Sequence, residues 1–502
     1  MKILLISPEY EDTFWNLKKV LRILGKRAAY PPLGLLTVAG LLPKEWDRRL
    51  VDLNCEKLSE EAIKWADFVF ISAIVGQKNS TKQIIEIVHK AGKPIVTGGP
   101  LFTTGWEEFA DSVDHIFIGE AENTFQEFIN DAENNSLKRI YESKSFPEIS
   151  KAPIPEWKLV DFRNYNSMAI QFSRGCPFNC EFCDVVHLNG RNPRLKSVEQ
   201  LLAELDSLYQ AGWHAAIFFV DDNFIGNKSR LKKEYLPAII EWQQKRKYPF
   251  TFSTQVSIDL ADDPMLMRML TEAGFATVFI GIETPNTESL MECGKRQNQN
   301  RDMVQSVKAI QNMGIEVNGG FIIGFDSDES SIFENQIEFI QKSGIVTSMV
   351  GLLNVFPKSR LHERLKDSNR LIDPDDTTSE ISALNFIPVM DSKLLMKGYM
   401  DVVSTIYSPS HYYPRIKTFL KEFNPRRVNT LSLRFYHIRA LFASIWVLGM
   451  LQTGRHYYWQ LLLWTLFRRP GLIPYAIGLP LGLIHFRSLS WVKQYDAYFR
   501  TI

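Results

Sequence analysis

The chain has 502 residues, 45% of them hydrophobic, which is enough to bury several cores and predicts two or three domains. Its five cysteines, three of them within eight residues, argue against a disulfide framework and favour a reduced, cytoplasmic setting. The near-neutral net charge of +1 combines an acidic body with a basic C-terminal tail, and the N-terminal MKILLISPEY lacks the apolar region and cleavage site of a secretory signal.

Strand-like and helix-like segments alternate over residues 1–135, which predicts a doubly wound parallel sheet. The apolar runs are nearly continuous, as expected for strands that are buried on both faces. The strands are predicted at Ile3–Ser7, Leu50–Leu53, Phe68–Ile74, Ile95–Thr97 and His115–Ile118, with helical patterns such as Gly34–Leu42 and Thr81–Lys90 between them.

Sheets of this kind bind ligands beyond the carboxyl ends of their strands. Glycine at such an end lets a flat ligand approach the backbone closely, although an ordinary turn would equally account for Gly98 and Gly99. The predicted strand ends carry Ser7-Pro8-Glu9, Ser72-Ala73, Thr97-Gly98-Gly99-Pro100 and Gly119-Glu120-Ala121-Glu122.

Residues 136–166 contain several prolines and little periodicity, so we expect a linker. A second strand–helix alternation over residues 167–385 predicts a partial or full (β/α) barrel, with its active face at the C-terminal strand ends. Its strands are predicted at Ala169–Ser173, Ala216–Asp221, Thr251–Gln255, Thr277–Ile282, Val317–Ile323 and Val346–Val355, and its helices include Val198–Gln210, Pro264–Ala273 and Met303–Met313.

Residues 386–502 lose this alternation and are predicted to be mostly helical. The longest uncharged run, Gly471–Phe486, has 16 residues and contains Pro474 and Pro480. A spanning helix needs roughly 18 or more apolar residues. We therefore expect this region not to cross a membrane.

The C-terminal tail has a distinct composition. From His411 to Ile502 it contains 13 Lys or Arg against 2 Asp or Glu, whereas the rest of the chain has 45 basic and 55 acidic residues. It also holds 19 of the 61 aromatic residues. Nucleic-acid binding is one interpretation, but no recognised module is present; an ordinary helical cover is another. We favour peripheral contact with an anionic membrane and expect no nucleic-acid partner.

The stretch SRGCPFNCEFCD, residues 173–184, follows the first predicted barrel strand and therefore belongs to the active face. Clustered thiolates suit zinc or an iron–sulfur cluster. Zinc could take His187 as a fourth ligand and form a closed structural site. A [4Fe–4S] cluster would use Cys176, Cys180 and Cys183 for three irons and leave the fourth iron open, an alternative that the large α/β body favours.

The spacing C-x3-C-x2-C, with Phe182 before the last cysteine, resembles the defining motif of the radical S-adenosylmethionine enzymes. The resemblance implies a [4Fe–4S] cluster whose open iron is chelated by the amino and carboxylate groups of S-adenosylmethionine. It also implies reductive cleavage to a 5′-deoxyadenosyl radical, with a reductant such as flavodoxin or ferredoxin. The cofactors carry this chemistry and the protein positions them.

Later strand ends resemble the S-adenosylmethionine contacts of this family. Helix capping and glycine packing would account for each segment alone, but their order along the chain supports the resemblance. It implies contacts from Asp221, Asp222 and Asn223 to the amino group, from Gly281 and Glu283 to the ribose, and from Gly320 and Gly324 beside the adenine, in addition to Phe182.

The doubly wound domain ahead of the barrel resembles the cobalamin-binding class of these enzymes, through Tyr30–Leu36, Thr97–Pro100 and Gly119–Glu122. Many cobalamin domains have a D-x-H-x-x-G motif, but here His115 directly follows Asp114. We therefore expect His115 to begin a core strand, His89 to lie on an ordinary helix surface, and cobalamin to bind without a histidine ligand. The resemblance implies cobalamin contacts at Pro32, Gly34, Ser72, Thr97, Gly98, Gly99, Glu120 and Glu122.

Beyond the barrel, Met349–Pro357, Leu361–Leu365 and Tyr412–Leu420 resemble the subgroup that includes the hopanoid C-2 methylase. The implied reaction is methylation of an unactivated carbon of a lipid or isoprenoid, with one S-adenosylmethionine methylating cobalamin and a second supplying the radical. Relatives tend to have Pro-Gly-Thr-Pro-Leu-Tyr where this chain has Pro357-Lys-Ser-Arg-Leu-His362, so the substrate stays open.

Two alternatives to methylation remain at this point. One is a radical enzyme that performs cyclisation, rearrangement or coupling on another metabolite. The other is a zinc- or iron–sulfur-binding protein without turnover. Beyond the three cluster cysteines, no catalytic residue is predicted.

Overall fold

The computed structural model describes residues 1–11, 18–372, 384–425 and 441–486. The chain divides into two compact units. The N-terminal unit comprises Met1–Asn16, Lys26–Pro177 and Val185–Asp222, and the C-terminal unit comprises Leu17–Gly25, Phe178–Asp184 and Asn223–Ile502.

The N-terminal unit contains a six-stranded parallel sheet in the order β2-β1-β3-β4-β5-β6, which confirms the doubly wound prediction. In β1, Ile3 to Ile6 are fully buried, which is why the run is continuously apolar. The strands are β1 (Lys2–Ser7), β2 (Asp47–Asp52), β3 (Phe68–Ser72), β4 (Ile95–Gly98), β5 (His115–Ile118) and β6 (Ile140–Glu142).

Each face of this sheet has its own core. Leu4 and Ile6 pack into one cluster, whereas Ile3 and Leu5 pack into the other, because successive side chains of a strand point to opposite faces. The helices of this part of the unit are α2 (Leu33–Leu41), α3 (Glu60–Trp65), α4 (Lys78–Lys90), α5 (Pro100–Gly105) and α6 (Phe125–Glu133), after α1 (Lys18–Ile23) of the other unit.

The second sheet also has six parallel strands, in the order β14-β13-β12-β11-β10-β7, with a separate two-stranded ribbon of β8 and β9. A partial and a full barrel were both predicted, and this open sheet of six strands corresponds to the partial barrel. The strands are β7 (Met168–Ile170), β8 (Ser173–Arg174), β9 (Arg194–Leu195), β10 (Ala216–Phe219), β11 (Thr251–Gln255), β12 (Phe275–Glu283), β13 (Glu316–Ile323) and β14 (Ser348–Leu352).

Helices follow most of these strands and then dominate the C-terminal part, as predicted. Among the described residues, none of the helices is both long enough and apolar enough to cross a bilayer. The helices are α7 (Val185–Asn189), α8 (Val198–Gln210), α9 (Lys228–Arg230), α10 (Leu236–Lys245), α11 (Pro264–Ala273), α12 (Thr287–Glu292), α13 (Met303–Asn312), α14 (Ile332–Ser343), α15 (Arg360–Asp367), α16 (Ser392–Ile406), α17 (Pro409–Glu422), α18 (Arg455–Arg468), α19 (Ile473–Gly478) and α20 (Leu481–Phe486), with π-helices at Leu231–Tyr235 and Ser444–Leu451.

The region 136–166, expected as a linker, contributes β6, which pairs with β5 and extends the first sheet. The remainder of this region contains three short 3-10 helices, at Ile149–Lys151, Trp157–Leu159 and Phe162–Asn164. A three-residue strand gives too short a pattern to be recognised by periodicity.

Candidate active site

In the N-terminal unit, the strands β8 and β9 form a short antiparallel ribbon, with β8 before Cys176 in sequence and β9 after it. Ser173 pairs with Leu195, and Arg174 pairs with Arg194. Next to this ribbon, Gly175 has a φ of +99°, and a Cβ there would lie 2.9 Å from the Gly190 carbonyl oxygen. The Cys176 N–H donates to that same carbonyl at 3.1 Å. Position 175 therefore requires glycine, and the backbone of the first cysteine is held in place.

Two carboxylates that follow β10 hold the start of the cysteine loop. The fully buried Asp221 accepts hydrogen bonds from the backbone N–H of Ser173 and, at 2.6 Å, from its hydroxyl. Asp222 accepts from the Gly175 N–H at 2.8 Å and from Asn189 Nδ2 at 3.0 Å. Burial raises the pKa of Asp221 to about 7, against the opposing effect of the Ser173 hydrogen bonds.

The contacts of these two carboxylates with S-adenosylmethionine stay a prediction. Asn223, predicted with them, belongs to the C-terminal unit, where its Nδ2 donates to the Ser257 hydroxyl at 3.2 Å.

The later part of the cysteine loop lies in the C-terminal unit, against the segment 293–298. The Glu181 N–H donates to the Cys293 carbonyl at 2.8 Å, and Gln297 Nε2 lies 4.0 Å from Cys180 Sγ at the limit of an N–H···S hydrogen bond. The buried Cys293 thiol has a pKa of about 12, raised by burial and by the nearby Cys180. Cys293, isolated in sequence, is thus a neighbour of the loop.

A buried ion pair lies beside this loop. Lys295 Nζ donates to Glu283 Oε1 at 2.6 Å and stands 6.0 Å from the Phe182 ring centroid. Burial lowers the pKa of Lys295, but Glu283 and Cys180 outweigh it and hold the pKa above its ordinary value. Phe182 itself packs against Phe325 with ring centroids 6.2 Å apart.

The predicted ribose segment meets this ion pair. Glu283 has a φ of +63° at a register shift between β12 and β13. A Cβ on Gly281 would lie 2.9 Å from Lys295 Nζ, so the small residue makes room for the pair. Gly320 faces the Phe279 ring, and Gly324 has a φ of +108°, so both have local reasons to be glycine. Their contacts with S-adenosylmethionine stay predictions.

The three loop cysteines fit an iron–sulfur cluster by the chemistry of their surroundings. None forms a disulfide, and the Lys295 ammonium and the Gln297 side-chain amide lie near Cys180. Throughout the described ranges, no three Cys, His, Asp or Glu side chains are already grouped around one metal position. His187, the alternative zinc ligand, is exposed on α7.

The predicted cobalamin residues partly converge at the carboxyl ends of β3 and β4. Gly99 has a φ of +90°, and a Cβ there would lie 2.6 Å from the Ser72 hydroxyl; a Cβ on Gly34 would lie 3.9 Å from the same oxygen. Pro32 precedes α2, and Thr97 is buried beneath. Gly34, Ser72 and Gly99 therefore form one cluster at the strand ends where cobalamin is expected, and their contacts with it stay predictions. Gly98 lies beside this cluster, next to Phe117.

Glu120 and Glu122, also predicted for cobalamin, bind arginines of the cysteine-loop ribbon instead of standing open. Arg174 donates to both carboxylates, at 2.7 Å for Glu122, and Arg194 donates to Glu120 at 3.1 Å with one of its nitrogens. Burial raises the pKa of Glu122, but the charge of Arg174 outweighs it and holds the pKa below its ordinary value. Cobalamin contacts from these residues stay predictions.

The two histidines of the N-terminal domain behave as expected. His115 begins β5, and its Nδ1 lies 2.6 Å from the Lys138 carbonyl oxygen, at the end of the strand opposite to the predicted cobalamin residues. His89 is exposed in the last turn of α4.

The segment that departs from the relatives' pattern keeps a tight turn. Lys358, at the position of the relatives' glycine, has a φ of +65°. The following Ser359 caps α15 by accepting from the His362 N–H at 3.1 Å. Lys358 therefore adopts the left-handed conformation that glycine reaches more readily.

Three family models match consecutive parts of the chain: the B12 binding domain over residues 26–129, the radical SAM superfamily over residues 170–340, and a domain of unknown function, DUF4070, over residues 359–494. An uncharacterized methyltransferase from Synechocystis is 37% identical over 490 residues, covering 97% of this chain and 91% of that protein. The hopanoid C-2 methylase of Rhodopseudomonas palustris is 30% identical, with 93% and 90% covered.

The chain belongs to the cobalamin-binding radical S-adenosylmethionine enzymes. The enzyme is a methyltransferase of this class, with a [4Fe–4S] cluster, S-adenosylmethionine and cobalamin as its cofactors. These findings confirm the predicted family and cofactors and set aside the zinc protein without turnover.

Solved structures share the enzyme's fold. The radical S-adenosylmethionine methyltransferase TsrM from Kitasatospora setae, with cobalamin and a [4Fe–4S] cluster bound, has a TM-score of 0.67 at 11% identity and covers 98% of this chain and 99% of its own. The cobalamin-dependent S-adenosylmethionine radical enzyme OxsB, with aqua-cobalamin bound, has a TM-score of 0.63 at 15% identity, with 99% and 80% covered.

Several residues around the site were missed by sequence reasoning. Arg174 lies inside the quoted motif but carries no signal of its own, because its carboxylate partners are 52 and 54 residues away. Lys295 lies 12 residues after Glu283 and has no motif. Long-range ion pairs of this kind could have been found only through covariation among related sequences.

Proposed function

We propose that the enzyme methylates an unactivated carbon of a lipid or isoprenoid substrate, similar to a hopanoid, while it rests on an anionic membrane surface. When bound, the cluster with S-adenosylmethionine supplies radical hydrogen abstraction, and cobalamin supplies the methyl group. The resemblance to the hopanoid C-2 methylase supports the substrate class, and a surface of the C-terminal unit supports the membrane contact.

The observation that carries this proposal is an exposed apolar surface in the C-terminal unit. Eight large apolar side chains between positions 442 and 467 are 41% to 80% exposed. Six of them fall at four-residue intervals, at positions 442, 446 and 450 on one segment and 459, 463 and 467 on its neighbour. The two segments are joined by a 3.0 Å hydrogen bond from Trp459 Nε1 to the Gly449 carbonyl. We call these residues the apolar surface: Phe442, Trp446, Met450, Leu451, Trp459, Leu463, Leu466 and Phe467.

The charge around the apolar surface suits anionic headgroups. Arg455 and Arg468 are exposed at the two ends of α18, and residues 441–486 contain no Asp or Glu. A helical cover whose charge is incidental would turn its aromatic side chains inward, whereas Trp446 and Phe467 point outward. Exposed aromatic and aliphatic side chains flanked by arginine are typical of helices that lie in a membrane interface.

Liposome co-sedimentation tests the membrane contact. We expect the wild-type enzyme to pellet with anionic vesicles and to be released by salt. Replacing Trp446 and Phe467 by Ser should weaken binding at least ~tenfold, since each buried apolar side chain contributes about 1.5–3 kcal/mol. A matched pair of variants provides the control, because Met450 on the apolar surface and Met265 on α11 are both more than half exposed. Met450→Ser should weaken vesicle binding, whereas Met265→Ser should leave it unchanged. Recovery of wild-type enzyme in the supernatant with and without vesicles would contradict the proposal.

Product analysis tests the reaction. The reconstituted, reduced enzyme is incubated with labelled S-adenosylmethionine and a membrane lipid extract. We expect both 5′-deoxyadenosine and S-adenosylhomocysteine, with label entering a lipid. Alanine at Cys176, Cys180 or Cys183 should abolish 5′-deoxyadenosine. Formation of 5′-deoxyadenosine without S-adenosylhomocysteine would favour cyclisation, rearrangement or coupling instead, and labelling confined to water-soluble products would refute the lipid substrate.

A further inference from the structure

The matched domain of unknown function begins at residue 359, and its first helix, α15, contacts the cysteine loop within the C-terminal unit. The Leu361 N–H donates to the Glu181 carbonyl at 2.9 Å, and Arg360 Nη1 donates to the Asn179 carbonyl at 3.3 Å. Arg364 Nε and Nη2 donate to the two carboxylate oxygens of Glu181 at 2.7 and 3.2 Å. This bidentate geometry is the strong form of an Arg–carboxylate pair.

Every polar group of Glu181 therefore has a hydrogen-bond partner. Its side chain binds Arg364, its carbonyl accepts from Leu361, and its N–H donates to the Cys293 carbonyl. The residue is buried and stands directly after Cys180 and two positions before Cys183. The Glu181 N–H lies in the same peptide plane as the Cys180 carbonyl, and that carbonyl accepts a hydrogen bond from the Cys183 N–H at 3.2 Å, so holding this plane restrains the backbone of both cysteines.

Arg364 is also the centre of a larger charge cluster. Its Nη1 donates to Asp326 at 2.6 Å and its Nη2 to Glu292 at 3.3 Å. Arg370 donates to the same Asp326 at 2.7 and 2.8 Å. Burial raises the pKa of Asp326, but the two arginines outweigh it and hold the pKa below its ordinary value. Asp326 is therefore ionised at neutral pH, and Arg364 is the member of the cluster that reaches the cysteine loop.

We propose that Arg364 is a positioning residue for the iron–sulfur site, and that one role of the domain of unknown function is to lock the cysteine loop through α15. The helix holds Glu181 so that Cys180 and Cys183 are presented together. This role goes beyond the proposed substrate and membrane contact and does not depend on either. Groups that orient metal ligands from outside typically change metal affinity 10–100-fold when they are removed.

The test compares Arg364→Met with Arg370→Met after anaerobic reconstitution. The rate of iron loss to a chelator is followed by absorbance, and the reduced cluster by electron paramagnetic resonance. We expect Arg364→Met to lose iron roughly 10–100-fold faster than wild type, with an altered spectrum. Arg364→Lys, which keeps the charge but not the bidentate contact, should lie between. Arg370→Met removes the same residue type from the same Asp326 without touching the loop, and should stay near wild type.

A double-variant cycle separates loop positioning from general packing. If Arg364 acts through Glu181, Glu181→Gln combined with Arg364→Met should lose iron no faster than Arg364→Met alone. Hydrogen exchange should rise in residues 178–184 while β13 stays protected. Wild-type iron retention in Arg364→Met, equal acceleration in Arg364→Met and Arg370→Met, or additive effects in the cycle would each overturn the proposal. Iron loss, the electron paramagnetic resonance spectrum and hydrogen exchange are all measured without the lipid substrate.

Discussion

Replacing Arg174 by Met should open the contact between the cysteine-loop ribbon and the end of β5. The side chains of Arg174 and Glu122 are only 14% and 9% exposed. In the variant, Glu120 keeps Arg194, whereas Glu122 loses the guanidinium that neutralises it. Removing one partner of a buried pair leaves an uncompensated buried charge and costs about 3–5 kcal/mol.

Hydrogen exchange of the native enzyme measures this loss locally. At about 1.4 kcal/mol per tenfold, the protection of peptides covering residues 119–124 and 172–176 should fall roughly 100- to 4,000-fold at pH 8. Arg163→Met is the control, because Arg163 and Asp161 form an exposed pair that should leave exchange unchanged.

The pH dependence gives a second check. In the wild type the pKa of Glu122 is lowered, so its contribution is present above the unfolded pKa and is lost as the pH falls through the folded pKa. Without Arg174, burial is opposed only by a backbone hydrogen bond and the charge of Lys196, so the pKa of Glu122 rises. Protonation then relieves the penalty, and the variant's deficit should shrink between pH 8 and pH 5. Unchanged protection, or an equal deficit at both pH values after correction for intrinsic exchange, would refute this reasoning.

Three further outcomes are expected. Cys183→Ala should yield no 5′-deoxyadenosine by chromatography, whereas Cys55→Ala should retain it, because burial raises the pKa of the Cys55 thiol to about 12 and leaves it inert. Because the pKa of Asp221 is raised to about 7, Asp221 stabilises the fold below its unfolded pKa, and this contribution is lost as the pH rises towards 7. In Asp221→Asn, the urea midpoint should therefore decline less steeply over this pH range. An unchanged pH slope would count against this role of Asp221. Lys295→Met should leave Glu283 buried and unpaired, at a cost of about 3–5 kcal/mol, and an unchanged thermal midpoint would contradict the pairing.

Regular elements with strong periodicity were predicted closely. The helices Val198–Gln210 and Pro264–Ala273 begin and end where predicted, because a capping residue and a repeated apolar face mark each of them. The ends of strands were predicted less accurately. The strand predicted at Ala216–Asp221 ends at Phe219, and Asp221 instead accepts a hydrogen bond from the Ser173 hydroxyl. A tertiary hydrogen bond of this kind has no local pattern.

The candidate site likewise combines features that are local in sequence with contacts between remote residues. The cysteine spacing and Gly175 are local features, since residues 175–183 encode them without any remote partner. The partners that hold the loop are remote in sequence: Glu122 is 52 residues from Arg174, and Arg364 is 183 residues from Glu181. Glu120 and Glu122, assigned to cobalamin from their strand-end position, proved to have arginine partners that no spacing rule indicated.

By itself, the sequence of this enzyme determined the alternation of strands and helices and the cysteine spacing, and its resemblance to a known family implied the cofactors. The alternation follows from backbone hydrogen bonding and apolar periodicity, which act over short stretches of chain, as does the cysteine spacing. Only the tertiary structure decided which charges neutralise one another and which apolar side chains of the tail face solvent. Both depend on burial, and burial is set by elements that meet in space after long separations in sequence.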